Sequence, residues 1–416
     1  MKFFSKQKGN SLCALCKGRL YCGKDRCPLL VKFYAQIKNK PLIDSRFIDG
    51  SSPPGVFVGR YGYPKVYVGP LIPPLHGDTS LLDTPEYWVG KSIEEITNFR
   101  FQLVRGMHLT NVKKLEGDRL VEKTIEIALA ENPTKAEAEF KRKPTGRITL
   151  HSEVQPFGPS APLTKFEIEN YKMNKKIEKA YYDTDMKAVD AVLKLYRKEV
   201  LISKIQKAFS VGAFGIGKNR RFVPTRWSIT AVDDTISKNL VNYIKSYPII
   251  NEFRVYSHIH LDNRWMILLI PREWCYELIE AWYPKTLWNP DGLDIEIFSS
   301  NEFYDGRKYY AEIGGCYYAA RVATGELLNK ERRQAGVVIF RETHPGYIMP
   351  VGVWNVRESV REALKTKPMS FPSLKESLNY ISTKLDIPVK TWIKNSEVLQ
   401  DTLNQKRIAD FIKIKK

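Results

Sequence analysis

Phe253-Arg254-Val255-Tyr256-Ser257-His258-Ile259-His260, followed beyond Asp262-Asn263 by Trp265-Met266-Ile267-Leu268-Leu269-Ile270, decides how this chain folds. The first run alternates apolar and polar residues, as a half-buried strand does. The second is an unbroken apolar run of strand length, and the pair around Asp262-Asn263 predicts a β-hairpin. A second hairpin is predicted nearer the start, where Val56-Phe57-Val58-Gly59 and Val66-Tyr67-Val68-Gly69 flank Arg60-Tyr61-Gly62-Tyr63-Pro64-Lys65. Other stretches follow the helical period. Ile93, Ile96, Phe99, Leu103 and Val104 predict a helix over 91–108. Met186, Val189, Val192, Leu193, Tyr196, Val200, Ile205 and Phe209 predict one long amphipathic helix over 185–209, ended by Gly212, Gly215 and Gly217. Strands are expected at 294–298 and 337–341, and helices near 317–333, 355–366 and 373–385. Strands and helices interleave with no regular period and no internal repeat, so the fold class is α+β or mixed α/β.

A length of 416 residues exceeds one simple core, and 43% hydrophobic and 12% aromatic residues suffice to pack two. The expected organisation is two globular domains with terminal appendages. Residues 1–30 form a four-cysteine element and 31–165 an N-terminal hairpin and helix domain. Residues 166–400 form a C-terminal α+β domain and 401–416 a tail. The polar, proline-marked stretch from Asn132 to Pro162 reads as a link or as a segment packed on the first domain.

Lys and Arg total 66 against 46 Asp and Glu, a formal net charge of +20. Such an excess favours polyanionic partners, because neutralised phosphates release condensed counterions. DNA and RNA are both permitted by charge alone. The apolar runs are far too short to span a bilayer, so no membrane partner is expected. Lys2, Lys6 and Lys8 interrupt the opening residues before an apolar leader can form, and a cytoplasmic location is expected.

In a reduced compartment, clustered cysteines suggest metal rather than disulfides. Cys13, Cys16, Cys22 and Cys27 offer four thiolates at short spacing, enough to close a tetrahedral shell around Zn²⁺ in a segment with little core of its own. An iron–sulfur cluster is the alternative, since four thiolates serve it equally well. Seven basic side chains against the single acid Asp25 leave residues 1–30 basic even after metal binding.

The chain's last residues include Gln405, Ile408, Phe411 and Ile412, a Gln followed at i+3, i+6 and i+7 by apolar residues. That spacing matches the clamp-interaction motif of PCNA partners. A short 3₁₀ turn would bring Ile408, Phe411 and Ile412 to one side as a plug, with Gln405 in a polar pocket beside it. The last plug position departs from the motif's commoner aromatic.

Larger blocks carry a resemblance. The cysteine run ending in Cys27-Pro28, the segment from Val56 to Pro64, and Val223-Pro224-Thr225-Arg226-Trp227-Ser228-Ile229-Thr230 resemble the archaeal Nre DNA-repair proteins. So do Gly314-Gly315-Cys316-Tyr317-Tyr318-Ala319-Ala320-Arg321 and the stretch from Pro350 to Glu358. The resemblance spans nearly the whole chain. It implies a protein of DNA-damage repair with a zinc-finger-like N-terminus and a PCNA-interacting C-terminus, in the company of other repair proteins. It implies no established reaction.

Whether the chain is an enzyme stays open. Arg226, Asp233 and Asp234 are the catalytic candidates: paired carboxylates can hold Mg²⁺ or Mn²⁺ for phosphodiester chemistry, nuclease or lyase, while Lys218, Arg220 and Arg221 neutralise phosphate. The alternative is that the aspartates cap a helix continuing through Leu240 and Tyr243. The glycine spacing is not that of a Walker loop, so ATP is not expected. His258 and His260 would share one face of a strand, half of a metal site at most. Arg321, Arg332, Arg333, Arg341, Arg357 and Arg361, mixed with Glu342 and Glu358, would either read phosphates or form internal ion pairs.

Overall fold

The computed structural model describes residues 16–146, 155–290 and 292–404. It is a mixed α and β protein of two compact units. Unit 1 comprises the residues up to 236 together with 348–355; unit 2 comprises 237–347 and the residues from 356 onward. The expected boundary at 165/166 therefore falls inside unit 1. Segment 348–355 belongs to unit 1 through contacts no local pattern reveals: Thr97 Oγ1 donates to Met349 Sδ at 3.4 Å, and Trp354 meets Trp88 edge-on at 5.3 Å.

Unit 1 is built on a six-stranded sheet, β1 (Phe47–Ser52), β2 (Val56–Val58), β3 (Lys65–Ile72), β4 (Val104–Asn111), β5 (Thr134–Phe140) and β6 (Ser160–Ile168). Its order is β1-β5-β6-β4-β3-β2, antiparallel except for β4 beside β6. The β2–β3 hairpin forms as expected, with Val58 opposite Val68. Alternation sorts β3 cleanly: Val66, Val68 and Ile72 are buried on the face that carries Val104, Ile127 and Phe166, whereas Lys65 and Tyr67 point the other way. That second face is covered at one end only. Leu71 packs there with Leu82, Leu103, Phe57 and Phe99, while Lys65, Tyr67 and Leu109 stay exposed at the far end. Between the two ends Gly69 and Gly106 approach so closely that a Cβ on Gly69 would sit 2.0 Å from the Gly106 carbonyl oxygen.

The helix expected over 91–108 ends sooner, at Ile93–Gln102, and its last third is the strand β4. Ser92 and Glu95 close a capping box that fixes the start. The polar stretch 132–162 contains β5, whose alternating burial pairs Ala136 and Ala138 into the core. The long helix over 185–209 is two helices, Ala188–Arg197 and Ile202–Ser210, parted at Glu199 with φ of 58°. Each half keeps its apolar stripe, so the periodicity held while the chain turned.

Unit 2 holds β7 (Phe253–His260), β8 (Asn263–Ile270), β9 (Cys275–Trp282), β10 (Glu296–Glu302), β11 (Gly336–Thr343) and β12 (Met369–Phe371), in the order β10-β9-β11-β8-β7-β12. The β7–β8 hairpin closes through Leu261 and Asp262, both at positive φ, one residue earlier than the expected pair. Asn263 instead turns inward, its Nδ2 donating to the carbonyls of His260 and Leu261. β8, β9 and β11 are buried along nearly their whole length. One face packs on the C-terminal helices through Leu378, Ile381, Trp392, Val398 and Leu399. On the other face the helix Gly315–Glu331 approaches, where the Tyr276 hydroxyl donates to the Tyr317 carbonyl at 3.0 Å. Two buried glutamates tie the C-terminal helices down. Glu277 accepts from Ser396 Oγ and the Val398 and Glu397 amides, and Glu342 accepts from the Asp386 and Ile387 amides.

No helix among the described residues is long and apolar enough to cross a membrane.

Candidate nucleic-acid interface

The open end of the unit 1 sheet carries the most distinctive surface chemistry. The turn between β2 and β3 presents Tyr61, 81% exposed, and Tyr63, 43% exposed; Tyr67 follows on β3. Trp227, 48% exposed, lies against Tyr63 with ring centroids 5.4 Å apart. Its placement follows from the backbone. The helix Thr225–Ile244 starts at Thr225, whose Oγ1 accepts from the Val58 amide at 2.9 Å, pinning the first helical turn to the hairpin. The preceding segment is stitched alongside, with Phe222 N donating to Val112 O and Val112 N donating to Pro64 O.

Cations interleave with these rings. The Arg60 guanidinium lies over the Tyr61 ring at 5.1 Å, and Lys65, Lys113, Lys218, Arg221 and Arg226 are exposed on the same elements. Flat, accessible rings offer stacking surfaces to unpaired bases, and surrounding cations attract phosphates. Of the two acids that follow β4, Glu116 is exposed, whereas Asp118 is engaged with His108 Nε2 at 2.8 Å and caps the helix Arg119–Leu129.

The expected catalytic trio does not assemble as a two-carboxylate site. Asp233 and Asp234 stand in the third turn of Thr225–Ile244, so neither caps that helix. Asp233 is fully buried and accepts from Gln206 Nε2 at 3.0 Å, whereas Asp234 is only partly buried. Successive helical positions diverge by about 100°. Arg226 is exposed in the first turn. Of the neighbouring cations, Arg220 is spent on the carbonyls of Gly215, Tyr181 and Asp183, leaving Lys218 and Arg221 at the surface.

Three of the four expected thiol ligands are described. Cys16 is buried, and Cys22 and Cys27 are partly so; Cys13 lies outside the described residues. Burial opposes a thiolate at Cys16, yet the amides of Tyr21, Gly18, Arg19 and Leu20 turned on its sulfur outweigh it and bring the thiol below its usual range. Amides turned on a sulfur favour its thiolate form, but Cys16, Cys22 and Cys27 are not among the described groups whose ligand atoms lie within 4.8 Å of one another. Gln405, Ile408, Phe411 and Ile412 also lie outside the described residues.

His258 and His260 do share a face, with ring centroids 6.1 Å apart. His260 Nδ1 is 3.4 Å from Ser359 Oγ. Burial pulls the His258 imidazole below its ordinary range, against a weaker opposing pull from Glu362. Among the described residues, the group that gathers three ligand-type side chains within 4.8 Å is Glu342, His344 and Asp386. Glu342 is there occupied by two backbone amides and Asp386 by Arg264.

The C-terminal arginines divide between structure and surface. Arg321 donates to Glu302 at 2.6 Å, Arg341 to Glu280 at 2.6 Å, and Arg361 to Glu326 at 2.6 Å and Glu358 at 3.0 Å. Arg357 Nε donates to Glu358 at 3.1 Å. These four are internal ion pairs rather than phosphate readers, while Arg332 and Arg333 are exposed. The rings of Tyr61, Tyr63, Tyr67 and Trp227 were not singled out from sequence as a site. Their signal was the interleaving of Arg and Lys with Tyr across Arg60–Lys65, beside a strand that exposes Tyr67 between two buried valines.

Comparison with known proteins agrees across the chain. The description "Archaeal Nre, N-terminal" matches residues 21–289, and "Archaeal Nre, C-terminal" matches residues 302–411. DNA repair protein NreB of Archaeoglobus fulgidus is 40% identical over 93% of this chain and 97% of its own length. DNA repair protein NreA of the same organism is 39% identical over 90% of this chain and 94% of its own. The Haloferax volcanii DNA repair protein NreA is 34% identical over 76% and 78%. No solved structure matches the chain. With both halves matched and relatives aligned over most of their length, this chain belongs to the archaeal Nre family.

Proposed function

We propose that this chain is a DNA-repair factor that holds DNA on the basic, ring-bearing face of unit 1 and is recruited to the PCNA sliding clamp by its last residues. The observation that carries the DNA reading is the cluster of exposed Tyr61, Tyr63, Tyr67 and Trp227 among Arg60, Lys65 and Arg221. Relatives named DNA repair proteins supply the context. Stacking is indifferent to base identity, which suits a factor that meets lesions in any sequence. Cys13, Cys16, Cys22 and Cys27 hold Zn²⁺ in this reading, adding a basic module that rests on phosphates. Gln405, Ile408, Phe411 and Ile412 form the clamp plug. Tethering raises local concentration at replication sites without demanding tight binding.

Two measurements test these parts. Anisotropy of a labelled single-stranded DNA should show binding that weakens steeply with salt and resists competition by RNA; binding that RNA removes equally well would favour the RNA reading. A peptide covering the tail should bind purified PCNA, and Phe411→Ala should abolish the signal. Elemental analysis of the purified protein should find stoichiometric zinc rather than iron.

A further inference from the structure

Among the described residues, Arg105 is a charge without a counter-ion. It lies on β4, on the same face as Tyr67 and Leu109 but at the covered end of the sheet, opposite Leu71. Its guanidinium is held between two phenyl rings, 3.8 Å from the centre of Phe57 and 4.6 Å from that of Phe157. Nε is buried with no hydrogen-bond partner, and no carboxylate approaches the group among the described residues. Its charged neighbour is another cation, Arg100, which already shares Asp83 with Lys207: Arg100 Nη1 is 2.6 Å from Asp83 Oδ1 and Lys207 Nζ 2.9 Å from Oδ2. The carboxylate beside Arg100 is thus already shared by two cations, and Arg105 adds a third charge next to Arg100. Burial, with Arg100 adding to it, pushes the Arg105 guanidinium down to about 9, still charged at neutral pH.

A fold gains nothing from a half-buried cation left unpaired beside two others, because desolvation penalises the charge and like charges repel. Ring faces hold the guanidinium plane and leave its edge directed away from them, and that edge is the fork that matches two phosphate oxygens. The sheet face leading to it is the one whose open end carries the exposed rings.

We propose that Arg105 receives a phosphate group of the bound nucleic-acid strand, a step that rests on the DNA-binding reading above and fixes where the strand runs: from Trp227 and Tyr67 along the second face of the sheet towards β4. The site binds the phosphate through charge and a bidentate fork, so it carries no base preference.

The test compares wild type with Arg105→Met and Arg105→Lys, using labelled single-stranded DNA across a salt series. Arg105→Met should weaken binding several-fold and reduce the slope of log affinity against log salt by about 0.7, the contribution of one phosphate contact on a single strand. It should also melt at the same temperature as wild type or higher, since an unpaired charge has been removed. Arg105→Lys should keep the slope and lose part of the affinity. An unchanged slope in Arg105→Met, or a lowered melting temperature with unchanged affinity, would show that the guanidinium only packs between its rings and would overturn the proposal. Should wild type bind no DNA, the DNA reading fails by itself, and inorganic phosphate decides Arg105 separately. A phosphate-induced rise in melting temperature, present in wild type and absent in Arg105→Met, keeps it as a phosphate receptor; no rise in wild type removes it.

Discussion

Arg341 and Arg105 occupy matching places in the two units. Each stands on an interior strand of a six-stranded sheet, and each is enclosed by aromatic rings. Arg341 has Trp265 at 4.9 Å and Trp282 at 4.8 Å, much as Arg105 has its two phenyl rings. The difference lies in what else each fold supplies. Arg341 sits in register with Glu280 on the parallel neighbour β9 and bonds it, and its Nε donates to Asn263 at 2.9 Å. Burial pulls that guanidinium down, but Glu280, with Cys316 and Tyr347 adding to it, outweighs the burial and its affinity for the proton rises. Arg105 has the burial and the rings and, among the described residues, no such partner. One sheet answers its buried cation with a carboxylate, and the other, among the described residues, does not. An arginine count along the sequence cannot see that distinction, and it separates scaffold from candidate site.

The sharpest way to break the comparison is to take Glu280 away. Glu280→Ala leaves Arg341 among rings, with Asn263, Cys316 and Tyr347 beside it but without its carboxylate partner. The expected loss is about 3–5 kcal/mol of unfolding free energy, the usual consequence of unpairing a buried ion. Chemical denaturation of unit 2, followed by tryptophan fluorescence, measures it. Replacing Glu280 and Arg341 together with apolar residues of similar volume should restore most of the loss. If Glu280→Ala is nearly neutral, Arg341 tolerates isolation as Arg105 does, and the contrast between the sheets disappears.

A second buried carboxylate sharpens the same point through pH. Burial pushes Glu277 up to about 7, although Ser396 and the amides of Val398 and Glu397 hold it back. Because its folded pKa exceeds its unfolded value, the fold prefers the protonated acid. Stability from this group is therefore full below about pH 4.5 and is lost as pH rises towards 7. Relative to Glu277→Gln, wild type should lose roughly 3 kcal/mol between pH 4.5 and 7.5, at about 1.4 kcal/mol per pH unit across the window. Parallel urea curves at the two pH values give the number. A constant difference between the two proteins would mean that the carboxylate remains ionised throughout.

Glu277 and Glu280 also explain where the sequence stopped being legible. Cys275–Trp282 is a strand that no expectation covered, and its two glutamates inside eight residues give it the composition of a solvated surface. Both are buried, since Ser396 and the helix start at Glu397 answer one and Arg341 answers the other. Neither partner is near in sequence. Where patterning was local, the reading held: the β2–β3 and β7–β8 hairpins, the strand at β11 and the C-terminal helices fall close to their expected places. It faltered where tertiary context overrode period, as when β4 took over the end of an apparent helix and Glu199 turned an apparent single helix into two. The candidate interface was legible only in composition. Tyr61, Tyr63 and Lys65 are adjacent and suggestive, but Trp227 joins them from more than 150 residues away, through the bond between Thr225 and the Val58 amide.

Trp227 is accordingly where the surface reading is most exposed to failure. Its ring is about half accessible and rests on Tyr63, so truncating it removes a stacking surface and leaves the core of unit 1 intact. Trp227→Ala should weaken single-stranded DNA binding by about 1–3 kcal/mol, the usual worth of one base–aromatic stack. The slope of affinity against salt should stay unchanged, because no cation has been removed. Arg105→Met is expected to show the complementary pattern, with the slope altered and the stack kept. Equal DNA affinity in Trp227→Ala and wild type would mean that the exposed rings are not the platform. The strand would then have to reach Arg105 by a path that avoids the open end of the sheet, and the reading of that face as one continuous track would fall.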